Sequence, residues 1–215
     1  MSEEARGPRL LQQFARLPVP GRVKTRLARS IGAAAACAVH EELLVLTART
    51  LLDAALAPVE LWLDEGGTHG LLEPLILAGM RGPFEQIGQD LGERMHRSLV
   101  NGLLRYERVV LVGSDCPGLD EAYLRAAFDA LDAADAVIGP AEDGGYVLIG
   151  ARRNCASLFA DIPWGTEEVL ERSRAAADIA ELDLALLAPR YDIDVEADLL
   201  RWRSGQGKES GAQSA

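Results

Sequence analysis

Val109-Val110-Leu111-Val112, followed at once by Gly113-Ser114-Asp115-Cys116-Pro117, decides the fold class of this chain. An unbroken apolar run of mostly β-branched residues reads as a strand covered on both faces, and Ser-Asp-Cys-Pro ends it sharply. Upstream, Leu10 to Ala15 reads as a short buried strand, followed by a basic loop and an Ala/Leu-rich helix from about Ala33 to Leu56. Val59 to Leu63 and Phe84 to Ile87 read as further strands, with a helix from about Leu91 to Leu104. Downstream come a helix from about Glu121 to Leu131, a strand at Ala136 to Gly139, and a hairpin partner at Tyr146 to Ile149 across Asp143-Gly144-Gly145. Thr166 and Asp194 have the setting of N-caps for two last helices. Strands and helices thus alternate, which predicts an α/β layered fold with a mostly parallel sheet whose ligands bind at the carboxyl ends of the strands.

The chain has 215 residues, 48% of them hydrophobic, enough for one substantial core. One domain is expected over residues 9–203, with disordered tails at 1–8 and 204–215, the latter rich in Gly, Ser and Gln. A net charge of −11 argues against nucleic acid or an anionic membrane as partner. Cys37, Cys116 and Cys155 have neither zinc spacing nor the even count of a disulfide framework, which fits a reducing cytoplasm. The acidic start Met1-Ser2-Glu3-Glu4 is no signal peptide, and no apolar run is long enough to span a bilayer.

Against this acidic background, Pro18-Val19-Pro20-Gly21-Arg22-Val23-Lys24-Thr25-Arg26-Leu27 concentrates three cations at alternate positions. In extended backbone Arg22, Lys24 and Arg26 would form one comb suited to a polyphosphate, whereas in a helix they would spread around it. The stretch lacks the G-x-x-x-x-G-K-[ST] pattern, so side chains rather than a backbone cradle would hold phosphate.

Asp115, where the central strand emerges, is either a ligand for Mg²⁺ or the cap of the next helix. Asp192 and Asp194 flank Ile193 and can face one side of a terminal strand, completing a metal site with Asp115, unless Asp194 is spent as an N-cap. Glu142-Asp143-Gly144-Gly145-Tyr146 can bring a carboxylate and flexible backbone to a substrate or make an ordinary turn. Gln86, Asp90 and Arg94 stand at a strand-to-helix junction, where Gln can bond a base and Arg a phosphate. Trp164 either lines a pocket or anchors packing. His40, His69 and His96 have no metal spacing, and no Ser/His/Asp order is present.

Taken together, Phe14-Ala15-Arg16, the basic loop, Asp90-Leu91-Gly92-Glu93-Arg94-Met95, Gly113-Ser114-Asp115-Cys116-Pro117 and Glu142-Asp143-Gly144-Gly145-Tyr146 resemble a bacterial family of nucleotide-diphospho-sugar-transferase-like proteins. Members are often labelled arsenosugar-biosynthesis glycosyltransferases. The resemblance runs from Phe14 to about Trp202 and implies the glycosyltransferase-A fold, a Rossmann-like three-layer sandwich with a mixed, mostly parallel sheet. That fold is shared with phospholactate and molybdenum-cofactor guanylyltransferases. The resemblance implies that Arg22, Lys24 and Arg26 contact nucleotide phosphates and that Asp115 holds a divalent metal; Gly21 is expected to bind the nucleotide with them. Asp192-Ile193-Asp194-Val195-Glu196-Ala197-Asp198-Leu199 stands where such folds carry Asp-x-Asp-Thr-Pro-Glu-Asp-Leu; Thr-Pro is missing, both Asp residues are kept, and Asp194 is carried as second ligand.

The expected activity is Mg²⁺- or Mn²⁺-dependent nucleotidyl transfer from a nucleoside triphosphate to a small phosphate- or carboxylate-bearing acceptor. Lys24 and Asp115 would be catalytic, Gln86 and Asp90 would contact the nucleotide, and Glu142 to Tyr146 with Trp164 would bind the acceptor. Glycosyl transfer from a nucleotide sugar and noncatalytic nucleotide binding are the alternatives.

Overall fold

The computed structural model describes residues 6–212. One seven-stranded sheet has the order β3-β2-β1-β4-β6-β5-β7. Its strands are β1 (Gly7–Ala15), β2 (Val59–Leu63), β3 (Arg81–Glu85), β4 (Tyr106–Val112), β5 (Ala136–Pro140), β6 (Tyr146–Ala151) and β7 (Leu184–Leu186). Pairings β1–β2, β1–β4, β2–β3 and β5–β7 are parallel, and β6 runs antiparallel to both neighbours. The helices are α1 (Thr25–Ile31), α2 (Ala33–Asp53), α3 (Leu72–Leu77), α4 (Leu91–Leu103), α5 (Glu121–Ala130), α6 (Val169–Ile179) and α7 (Glu196–Ala212).

Alternate residues of the central strands face opposite layers. Leu11, Val110 and Val112 pack with Leu44 and Leu51 of α2, Leu72 of α3 and Phe128 of α5. Leu10, Phe14, Val109 and Leu111 pack with Met95 and Leu99 of α4 and Ala177 of α6. Both faces of β4 are therefore dry, as its unbroken apolar run requires. The chain proceeds from β1 to β2, toward one edge of the sheet, and from β4 to β5, toward the other, so the crevice between the carboxyl ends of β1 and β4 is a topological switch point. The basic loop leaves β1 there and Ser114-Asp115 leaves β4 there.

Several expectations are corrected. The third strand lies at Arg81–Glu85 rather than 84–87, and all five residues are exposed, with Pro83 tolerated because β3 is an edge. Thr25 opens α1, so the basic loop is not an extended comb. β1 already begins at Gly7, and α7 continues past Ser204 through the stretch expected to be disordered. Residues 1–5 and 213–215 of the expected tails lie outside the described residues. Thr166 accepts from Glu168 N at 3.3 Å, but α6 starts only at Val169. None of the described helices is long and apolar enough to cross a membrane.

Glu60 on β2 is fully buried and bonded to Arg105 at 2.7 Å, to Trp62 Nε1 at 3.2 Å and to Gln12 Nε2 at 3.4 Å. Removing one partner of a buried pair costs about 3–5 kcal/mol; Arg105 is 43% exposed, so water repays part of the loss. Arg105→Ala should therefore cost about 2 kcal/mol, lowering Tm by roughly 4–8 °C. Adding Glu60→Gln should recover part of it in a thermal melt, and an unchanged Tm in Arg105→Ala would refute this role.

Candidate active site

A cleft of about 620 Å³ opens at the switch point. Lys24 enters it with left-handed backbone (φ 47°, ψ 44°) just before α1. Holding a non-glycine residue there costs on the order of 1–3 kcal/mol, and such strain collects at functional sites. The strain aims the side chain inward. Its ammonium is 2.7 Å from Asp115 Oδ1 and 3.3 Å from Asp194 Oδ1, donates to the Ile193 carbonyl, and is 3% exposed. Burial alone would lower the Lys24 pKa, but Asp115 and then Asp194 outweigh it and raise it.

Asp115 follows β4 and accepts this ammonium, while its own carboxylate is 42% exposed to the cleft. Desolvation opposes its ionisation, yet Lys24 and His40 hold its pKa well below the usual carboxylate range. His40, on the buried face of α2, donates from Nε2 to the Arg16 carbonyl at 2.9 Å and places Nδ1 3.9 Å from Asp115 Oδ1.

Asp194 is not the N-cap of α7. Asp198 accepts the Asp194 and Val195 N–H groups at 3.0 and 2.9 Å, which frees the Asp194 carboxylate for Lys24 and, at 3.5 Å, Arg26. Asp143, from the β5–β6 turn, joins Asp192 and Asp194 in a group whose oxygens lie within 4.8 Å of one another. Burial, then Asp143, Asp194 and Asp115, push the Asp192 pKa up to about 7. Asp115 stands outside this group, held by Lys24.

Lys24, Arg26, Gln86, Asp90, Asp115, Tyr146, Asp192 and Asp194 all line the cleft. Gly21 makes the preceding turn at φ 82°, and Arg22 turns away to Glu65 at 2.7 Å. Asp90 caps α4 through Glu93 N at 2.8 Å. Glu142 is paired with Arg201 at 2.7 Å, and Gly145 N donates to Asp143 Oδ1 at 3.0 Å. Gly144, at φ 91°, lies so close to the Glu167 carbonyl that an added Cβ would be 2.2 Å from it. Trp164 packs on Gly92 and meets Tyr146 edge-on, ring centres 6.0 Å apart, so it supports the wall rather than lining the cleft.

Arg16, His40 and Asp64 also line the cleft, although sequence reasoning gave them no role. Arg16 sat within a quoted motif, and Asp64 follows a strand on the carboxyl side, a position that could have marked it. His40 carries no such signal, because it reads as one more residue of an amphipathic helix.

No curated protein matches the sequence significantly. Among solved structures, a protein from Desulfovibrio desulfuricans G20 with an inferred assignment as a nucleotide-diphospho-sugar transferase is similar over 88% of this chain and 83% of its own, at 31% identity and a TM-score of 0.77. A CMP:2-keto-3-deoxy-manno-octonic acid synthetase complexed with CTP aligns over 94% of this chain and 100% of its own, at 11% identity and a TM-score of 0.61. Rv0371c from Mycobacterium tuberculosis H37Rv, in complex with manganese, aligns over 92% and 98%, at 18% identity and 0.54. At such identities the last two show a shared fold. Residues 47–166 match the family described as uncharacterized protein conserved in bacteria (DUF2064), a stretch that holds the α4 start, the Asp115 turn and the Asp143 turn. With that match over more than half its length, the chain belongs to the DUF2064 family.

Proposed function

We propose that this protein is a nucleotide-using transferase and that its reaction is metal-dependent nucleotidyl transfer. An acceptor phosphate or carboxylate oxygen attacks the α-phosphorus of a nucleoside triphosphate, a P–O bond forms, the bond to the bridging oxygen breaks, and pyrophosphate leaves with the electron pair. One observation carries the reading: at the switch-point cleft Asp115 and Asp194 share the buried Lys24 ammonium, and Asp194 in turn gathers with Asp192 and Asp143. The CTP-bound synthetase and the manganese-bound Rv0371c of the same fold support it.

The residues fit a divalent cation. Their donors are all hard carboxylate oxygens, the set preferred by Mg²⁺ and Mn²⁺. Burial first, and then the neighbouring Asp143, Asp194 and Asp115, raise the pKa of Asp192, so negative charge is crowded there. Asp143, Asp192 and Asp194 would hold the ion, which when bound would neutralise charge developing on the phosphoryl oxygens. Asp115 fixes Lys24 against Asp194, so that the ammonium is oriented before substrate arrives. Arg26, with its guanidinium 64% exposed, and Arg94, which also lines the cleft, have donors to offer the β and γ phosphates.

Glycosyl transfer from a nucleotide sugar is the second reading, favoured by the assignment of the Desulfovibrio relative. The product separates the two. With each nucleotide donor, Mg²⁺ and a panel of phosphorylated and carboxylated acceptors, ³¹P NMR should show pyrophosphate; a nucleoside diphosphate would establish the glycosyl reaction instead.

Lys24→Ala and Asp194→Asn should each lower kcat on the order of 10²-fold or more with an unchanged circular dichroism spectrum. Full activity in either variant would remove that residue from the machinery.

A further inference from the structure

We propose that Arg201, on α7, is a positioning residue for the divalent cation: by clamping Glu142 it holds the Asp143 turn against the segment that carries Asp192 and Asp194. The proposal rests on the metal reading above. Of the three carboxylates that gather there, Asp192 and Asp194 come from one segment, whereas Asp143 comes from the exposed turn between β5 and β6. A ligand on an exposed turn binds its ion weakly unless the turn is fixed beforehand.

Main-chain bonds anchor the turn on two sides. Glu142 N donates to the Arg190 carbonyl and Leu170 N to the Gly144 carbonyl, both at 2.9 Å. Arg201 adds a side-chain tie to the other ligand segment. Its guanidinium donates to Glu142 Oε2 at 2.7 Å and to Oε1 at 3.1 Å, a two-pronged grip that fixes direction as well as distance. The same guanidinium lies over the Tyr191 ring, 3.9 Å from its centre. Glu142 precedes Asp143 and Tyr191 precedes Asp192, so one side chain joins the residues immediately before two of the ligands.

The same helix reaches the third ligand. Asp198, three residues before Arg201 and therefore on the same face of α7, accepts the Asp194 and Val195 N–H groups. Asp198 also sets a like charge near Glu142 and raises its pKa, while the Arg201 hydrogen bond, the larger influence, holds it below the ordinary carboxylate value. Without the guanidinium the two carboxylates would repel, and the Asp143 turn would be pushed away from α7. With both partners 52% exposed, the ion pair adds little to folding stability, so its loss would be felt in ligand geometry.

Calorimetric titration of Mn²⁺ into the wild-type chain, Arg201→Ala, the double variant with Glu142→Gln, and Arg125→Ala as a charge control tests the clamp, with thermal melts alongside. Arg201→Ala should raise the Mn²⁺ Kd about 10-fold, while Tm falls by less than about 4 °C. Adding Glu142→Gln should raise Kd no further, because both changes break one clamp. Arg125→Ala, whose partner Glu121 lies one turn away on α5, should bind as wild type does. Charge alone predicts the opposite sign, since removing a cation near a cation site tightens binding. An unchanged or lower Kd in Arg201→Ala, an equal loss in Arg125→Ala, or a further loss in the double variant would overturn the clamp and leave the metal reading standing. Absence of Mn²⁺ binding in the wild type would overturn both.

Discussion

The Lys24 ammonium is the constraint around which the cleft is organised. It joins three parts of the chain that the fold brings together only at the switch point: the loop after β1, the Asp115 turn after β4, and the Ile193-Asp194 segment that leads into α7. Each depends on the others. The left-handed backbone at Lys24 is tolerable because three oxygens hold the side chain it directs, and α7 can start without the Asp194 carboxylate because Asp198 supplies the acceptor.

Charge is left unbalanced by design of the surrounding elements. Asp115 and Asp194 meet one buried lysine, Asp192 and Asp143 crowd against Asp194, and burial together with these neighbours displaces the Asp192 pKa to about 7. Burial of like charges is costly unless a counter-cation accompanies them. In a structural ion-pair network the charges would match. Here the excess is on the open wall of a cleft, which is where a cation arriving with an anionic substrate would offset it.

How much of this could be read from sequence followed from what each residue's pattern encodes. The central strand was legible because burial on both faces leaves an apolar run without alternation, and Val109 to Val112 has one. β3 was misplaced because an exposed edge containing Pro83 carries neither pattern. The three cations of the first loop were legible as charges, but their directions were not: alternate spacing implies a comb only in extended backbone, and nothing in Lys24-Thr25 announces a left-handed residue followed by a helix. Asp143 and the Asp192/Asp194 pair lie on segments remote in sequence, so their meeting is a property of sheet order. Asp194 looked like a cap because position alone cannot show that Asp198 takes that task.

The most direct test of the account is electron paramagnetic resonance titration of Mn²⁺ into the wild-type chain and into Asp192→Asn and Asp143→Asn variants, following loss of the free-ion signal. One bound Mn²⁺ in the wild type, weakened roughly 10-fold or more in both variants, is the predicted result. No binding in the wild type, or equal binding in all three proteins, would contradict the claim that these carboxylates gather to hold a divalent cation.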